Sequence, residues 1–205
     1  NPPWTKITDK SSKTEVEMEI RIETAKEKKT KPEDDKLGFG SIFTDHMFCM
    51  DYHPEKGWHD PRIEPYGPFR LDPSTMFFHY GQGVFEGLKA YHTDTGGVQL
   101  FRPLDNFKRM NRSCRRICIP EIDEAFALES LKALVKLEKD WVPKTPETSL
   151  YIRPTIIATD PFLGVRDSNT YRYFVILYPV GAYYPEGFNP IKILVTREYV
   201  RAVRG

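Results

Sequence analysis

The 205-residue chain is poor in cysteine, in net charge and in long apolar runs. Its three cysteines, Cys49, Cys114 and Cys118, are odd in number and form no Cys-x-x-Cys pair. Neither a disulfide framework nor a zinc cage is indicated, and a reducing compartment fits. Thirty Lys and Arg against 29 Asp and Glu leave a formal charge of +1, so no global field favours nucleic acid or an anionic membrane. Any anion site must be local. No run of about 18 apolar residues exists to span a bilayer. The polar start Asn1-Pro2-Pro3-Trp4 carries no signal-peptide segment, and a soluble cytoplasmic protein is expected. A phosphate-binding Gly-x-x-x-x-Gly-Lys-Ser/Thr loop, a Gly-x-Ser-x-Gly elbow and a Gly-x-Gly-x-x-Gly fingerprint opening a helix are all missing. The five histidines, His46, His53, His59, His79 and His92, share no helix face and join no ligand-spaced Cys or carboxylate, so no metal site is expected.

What is present suits a folded core. Apolar residues make up 40% and charged residues 29%, the balance of an ordinary globular chain. The length fits one large domain, or one domain and part of another. Residues 1–36 mix nine basic with nine acidic side chains and read as a solvated arm. Within it Val16, Met18, Ile20 and Ile22 alternate with charged residues, the pattern of a half-buried strand, either an edge strand or an arm laid across a partner. The folded body starts at about Gly38 with the aromatic-rich stretch to Met50. Strands follow at about 83–91 and 97–102, joined through Gly96-Gly97.

After Pro103 the period becomes helical. Leu104, Phe107, Met110, Asn111, Cys114 and Ile117 share a face, and Pro120 closes the element. A second helix runs from the N-cap Asp123 to about Asp140. Strands recur at 150–158, 172–178 and 191–196. Strands, two helices, then strands is an α+β order.

Aromatic residues and arginines collect at strand ends and loops: Phe39, Tyr80, Phe85, Tyr151, Arg153 and Tyr183, with Arg109 on the first helix. Taken singly, each aromatic is core and each arginine is surface. Together, the stretch Phe77-Phe78-His79-Tyr80-Gly81-Gln82-Gly83-Val84-Phe85-Glu86-Gly87-Leu88-Lys89-Ala90-Tyr91 and the following Leu100-Phe101-Arg102-Pro103-Leu104-Asp105-Asn106-Phe107-Lys108-Arg109-Met110 resemble the N-terminal domain of branched-chain amino-acid aminotransferases, pyridoxal-phosphate enzymes of the D-amino-acid aminotransferase-like fold (fold type IV). The segments Phe39-Gly-Ser-Ile-Phe-Thr-Asp-His46, Leu150-Tyr151-Ile152-Arg153-Pro154, Phe162-Leu163-Gly164-Val165 and Pro179-Val-Gly-Ala-Tyr183 agree with it.

The resemblance covers roughly residues 37–204, leaving outside it the polar arm read from composition at 1–36. It implies a small mixed-sheet domain with two main helices at 37–182, and at 183–205 a linker with the first strand of a larger second domain. Arg109 matches the arginine that holds the cofactor phosphate. Phe39, Phe85 and Tyr183 look like the wall that selects a branched side chain. Tyr80, Leu163 and Val165 resemble positions completing the pocket of a neighbouring subunit in a homodimer. Tyr151 and Arg153, two apart on a strand, share a face and by resemblance line the substrate region; a structural ion pair is the competing account of Arg153.

The implied reaction moves an amino group from Leu, Ile or Val to 2-oxoglutarate. In the family the covalently cofactor-bound lysine follows the match to 198–205. No lysine here has that context, so these residues would contain no catalytic residue and be inactive alone. Other expectations stay open: a module that dimerises or binds a ligand without catalysis, or the sister chemistries of D-amino-acid aminotransferase and aminodeoxychorismate lyase.

Overall fold

A computed structural model describes residues 5–6, 18–34, 36–181, 189–200 and 202. Among these residues nine strands form one mixed sheet with helices packed against it. In chain order they begin with β1 (Thr5–Lys6), β2 (Glu19–Ile22), β3 (His46–His53) and β4 (Gly57–Pro65). A short helix α1 (Met76–Tyr80) leads to β5 (Gly83–Phe85), β6 (Leu88–His92) and β7 (Val98–Leu100). The helices α2 (Pro103–Arg116) and α3 (Glu124–Leu137) precede the two long strands β8 (Ser149–Ala158) and β9 (Tyr171–Val180). Across the sheet the order is β1-β2-β4-β3-β9-β8-β6-β7, with β5 also on β8. All neighbours are antiparallel except β2 and β4.

The helices form where local chemistry favours them. Pro103 opens α2, where its missing N–H costs nothing, and Asp105 and Arg115 complement the helix dipole at its two ends. Asp123 caps α3 by accepting from the Phe126 backbone N–H at 2.6 Å. Phe107, Met110 and Cys114 from α2 and Leu131 and Leu134 from α3 are buried in one core with Leu150, Ile152, Ile156, Tyr173 and Val175 of the central strands. Between the helices, the amide of buried Asn111 both donates to the Ile122 carbonyl (2.9 Å) and accepts from its N–H (3.1 Å), closing a loop that lacks sheet or helix partners.

Several expectations shift. The second helix stops at Leu137, and Lys139–Trp141 form a 3-10 turn. That turn brings Trp141 inward, where its Nε1–H donates to Asp45 Oδ2 at 3.1 Å. The alternating stretch of the arm is a strand at Glu19–Ile22, and Ile20 lies fully buried in the core, so this part of the polar arm is held to the body. Residues 191–196, expected as a strand, form none. Ile193, Leu194 and Val195 are exposed there, and no described strand pairs with them. The largest difference is at 83–91, where one expected strand is two, broken at Glu86-Gly87. Both β5 and β6 pair with β8, at residues 155–157 and 150–152.

Candidate functional site

The break at Glu86-Gly87 organises the site. Phe85 and Glu86 lie on opposite faces of the chain, as neighbours on an extended strand must. Phe85 is exposed and lies under the Arg153 guanidinium, whose carbon sits 4.5 Å from the ring centroid. The same guanidinium is 5.1 Å from the Tyr151 ring, donates from Nη2 to the Tyr151 hydroxyl at 2.9 Å and hydrogen-bonds Tyr178. Tyr151 stacks on Tyr178 with centroids 4.8 Å apart and planes at 22°. Phe39 meets both edge-on, at 5.9 and 5.7 Å. Burial pushes the Tyr178 hydroxyl above its ordinary pKa, despite the bond from Arg153. Phe39, Phe85, Tyr151 and Arg153, singled out from sequence, are thus one cluster, and the strand pattern of β8 places Tyr151 and Arg153 on its half-exposed face.

Gly87 lets the chain cross this cluster. A β-carbon there would lie 2.2 Å from the Tyr151 hydroxyl oxygen.

Glu86 turns the other way and is buried, 4% exposed. Its carboxylate accepts from Arg109 Nε and Nη2, both at 2.7 Å, and from Asn106 Nδ2 at 3.0 Å. Burial alone would raise its pKa, but these bonds outweigh it and hold the group below the ordinary carboxylate value. The same contact raises the Arg109 pKa. The Arg109 side chain stays 58% exposed, and no described residue takes its Nη1 hydrogens. One bidentate edge of the guanidinium is therefore engaged and the other faces outward. A planar fork of that kind suits a phosphate or carboxylate.

The remaining candidates lie elsewhere. The Tyr80 hydroxyl, at the end of α1, donates to the Leu163 carbonyl, and Val165 is 94% exposed two residues on. No described contact ties this group to the Phe85 cluster. Tyr183 lies outside the described residues. Sequence reasoning missed Glu86, Asn106 and Tyr178. A glutamate between Val-Phe and Gly-Leu inside an apolar strand pattern was the available signal for Glu86. Among the described residues no three His, Cys, Asp or Glu side chains are grouped to hold a metal, and no helix is long and apolar enough to cross a membrane.

No family model matches the chain. Branched-chain-amino-acid aminotransferase 2 of Bacillus subtilis is 58% identical over 186 residues, covering 91% of this chain and 51% of that protein. Over most of its length the chain is thus similar in sequence to part of the branched-chain-amino-acid aminotransferases. It spans about half the length of the curated relatives it matches. The crystal structure of the branched-chain aminotransferase of Thermoproteus uzoniensis with norvaline matches 66% of this chain and 41% of its own at a TM-score of 0.53 and 20% identity, a likeness of fold. A further branched-chain aminotransferase, from T.th., was solved with pyridoxamine 5′-phosphate and matches 74% of this chain and 42% of its own at a TM-score of 0.51 and 25% identity. The α+β sheet with its two main helices is the small domain of these fold-type-IV aminotransferases.

Proposed function

We propose that the chain serves a pyridoxal-phosphate-dependent transaminase that moves the amino group of Leu, Ile or Val to 2-oxoglutarate. The carrying observation is the Phe85-Glu86 step, which sets an aromatic cluster on one side of the strand and an arginine fork on the other. Arg109 would hold the cofactor phosphate through its outward edge, which the structure leaves facing solvent. When bound, the cofactor supplies an electron sink for the substrate carbon. Phe39, Phe85 and Tyr183 would wall the side-chain pocket, where apolar surface selects branched aliphatic groups by size and excludes water. Tyr151 and Arg153 would line the substrate region, with Arg153 tying its polar network together.

Tyr80, Leu163 and Val165 would complete the pocket of a second subunit in a homodimer; their joint exposure supports that role. We assign residues 1–36 to an arm, 37–182 to the small domain and 183–205 to a linker entering a larger domain. The proton-transferring lysine is assigned outside these 205 residues, in keeping with their covering half of the relatives' length. The cytoplasm is the proposed site of action, where reduction keeps the three free cysteines as thiols.

The test is turnover by the protein extended to the length of its relatives. Glutamate should form from 2-oxoglutarate with leucine, isoleucine or valine as donor, and not with D-alanine. Turnover of D-alanine without leucine overturns the branched-chain reading. A folded protein that binds no pyridoxal phosphate and turns over none of the four overturns the enzyme reading.

A further inference from the structure

Glu86 is a buried carboxylate that the proposed chemistry does not use. An ionised carboxylate inside a protein persists only if its oxygens are satisfied. Here they accept from Arg109 Nε, Arg109 Nη2 and Asn106 Nδ2 at 2.7, 2.7 and 3.0 Å, with the Gly87 N–H at 3.3 Å. Asn106 is itself steadied by the Gly87 carbonyl at 3.2 Å. The anchor is rigid: the Glu86 N–H donates to the Pro154 carbonyl of β8 at 2.9 Å, so the carboxylate is fixed to the sheet while Arg109 comes from α2.

A guanidinium offers two bidentate edges, side-on through Nε and Nη2 and end-on through Nη1 and Nη2. Glu86 fills the side-on edge. Resting on the reading of Arg109 as the phosphate ligand, we infer that Glu86 is a positioning residue that locks the side-on edge of Arg109 and so presents the end-on edge to a phosphate monoester. Two consequences follow from the geometry. A long, half-exposed side chain that would otherwise sample many rotamers is ordered before the ligand arrives, which lowers the cost of binding. The Glu86–Arg109 pair is also close to neutral, so the phosphate is held by directed N–H groups more than by net positive charge.

The experiment compares affinities of the extended apoprotein for pyridoxal 5′-phosphate and for pyridoxal, which lacks the phosphate, by quenching of tryptophan fluorescence, with thermal unfolding recorded alongside. Glu86→Gln keeps the shape and removes the charge. It should lower the phosphate-to-free-alcohol affinity ratio about tenfold, the effect of roughly one charge-assisted hydrogen bond, while pyridoxal affinity stays within a factor of two or so. The double variant Glu86→Gln/Arg109→Ala should show the same ratio as Arg109→Ala, because Glu86 acts only through Arg109. A lowered melting temperature with an unchanged ratio in Glu86→Gln, while Arg109→Ala reduces the ratio, overturns the positioning role and leaves the phosphate reading intact. An unchanged ratio in Arg109→Ala overturns the phosphate reading itself. If Glu86→Gln does not fold, Asn106→Ala, which removes one donor to the carboxylate, should lower the ratio about threefold, a weaker form of the same loss; no change there overturns the inference.

Discussion

Replacing Gly87 by alanine tests whether the crossing of chain and aromatic cluster matters. The new β-carbon would sit 2.2 Å from the Tyr151 hydroxyl oxygen and 3.0 Å from its ring carbon Cζ. Comfortable contact needs about 3.5 Å, so the hydroxyl must retreat by about 1 Å. It has little room to do so. The ring is stacked on Tyr178 and flanked edge-on by Phe39, and its hydroxyl is the acceptor for Arg153 Nη2. Overpacking of this kind costs about 1–3 kcal/mol, and the hydrogen bond to a charged donor is worth about 1.5–3 kcal/mol. In urea unfolding, Gly87→Ala should therefore lose about 1–3 kcal/mol if the Tyr151–Arg153 bond survives the shift, and about 3–6 kcal/mol if it breaks. On the proposed reading, in the protein extended to its relatives' length, a displacement of this size in the residues proposed to line the substrate region should lower kcat/KM for leucine about 10- to 100-fold. Adding Tyr151→Phe removes the closest atom and should recover part of the stability but not the activity. Wild-type stability and kinetics in Gly87→Ala would refute the reasoning.

Asn111→Ala strips both hydrogen bonds from the buried Ile122 peptide and should cost about 2–4 kcal/mol; a loss under about 0.5 kcal/mol in denaturant titration would show that water or the backbone takes over both groups. Ile20→Ala removes a fully buried side chain from the strand joining the arm to the sheet. It should cost about 2–5 kcal/mol and speed hydrogen exchange at the Glu23 N–H, which donates to the Ile63 carbonyl; exchange as slow as in the wild type speaks against an anchoring role. Acid should also weaken the fold through Glu86. Its folded pKa lies below the ordinary 4.5, so the unfolded chain takes up the proton first. The stabilisation it gives is complete above about pH 4.5 and is lost as pH falls through the lower folded value. The urea midpoint of Glu86→Gln should thus fall less steeply in acid than that of the wild type, and equal slopes would exclude this group as a source of acid sensitivity.

Much of the fold was legible because periodicity reports burial directly. The face formed by Phe107, Met110, Asn111 and Cys114 and the cap at Asp123 marked both helices within a few residues. The alternation around Ile20 marked a strand, although not that it would run parallel to β4, since pairing partners leave no local trace. The site was legible only in pieces. Tyr151 and Arg153 announce a shared face by their spacing, and their meeting with Phe85 and Phe39 depends on strand register. The strand break at Glu86-Gly87 escaped because its causes are tertiary: an arginine 23 positions later on α2 and a tyrosine ring on β8. The strand expected at 191–196 shows the converse, since among the described residues this β-branched run has no strand beside it to supply a ladder.

The order of strands also sets a timetable for a chain made from its N-terminus. Phe48 on β3 is registered against Val175 on β9, 127 residues later. At the usual pace of synthesis, about 5–20 residues per second, the β3 hairpin waits roughly 6–25 s before its other neighbour has been made. During that interval the edge bearing Met47, Phe48, Cys49 and Met50, all buried in the finished sheet, has an open ladder of hydrogen-bonding groups. A nascent protein of this topology is thus most exposed to mispairing before β9 emerges, and a ribosome-bound chaperone would have most to gain by covering that edge until then.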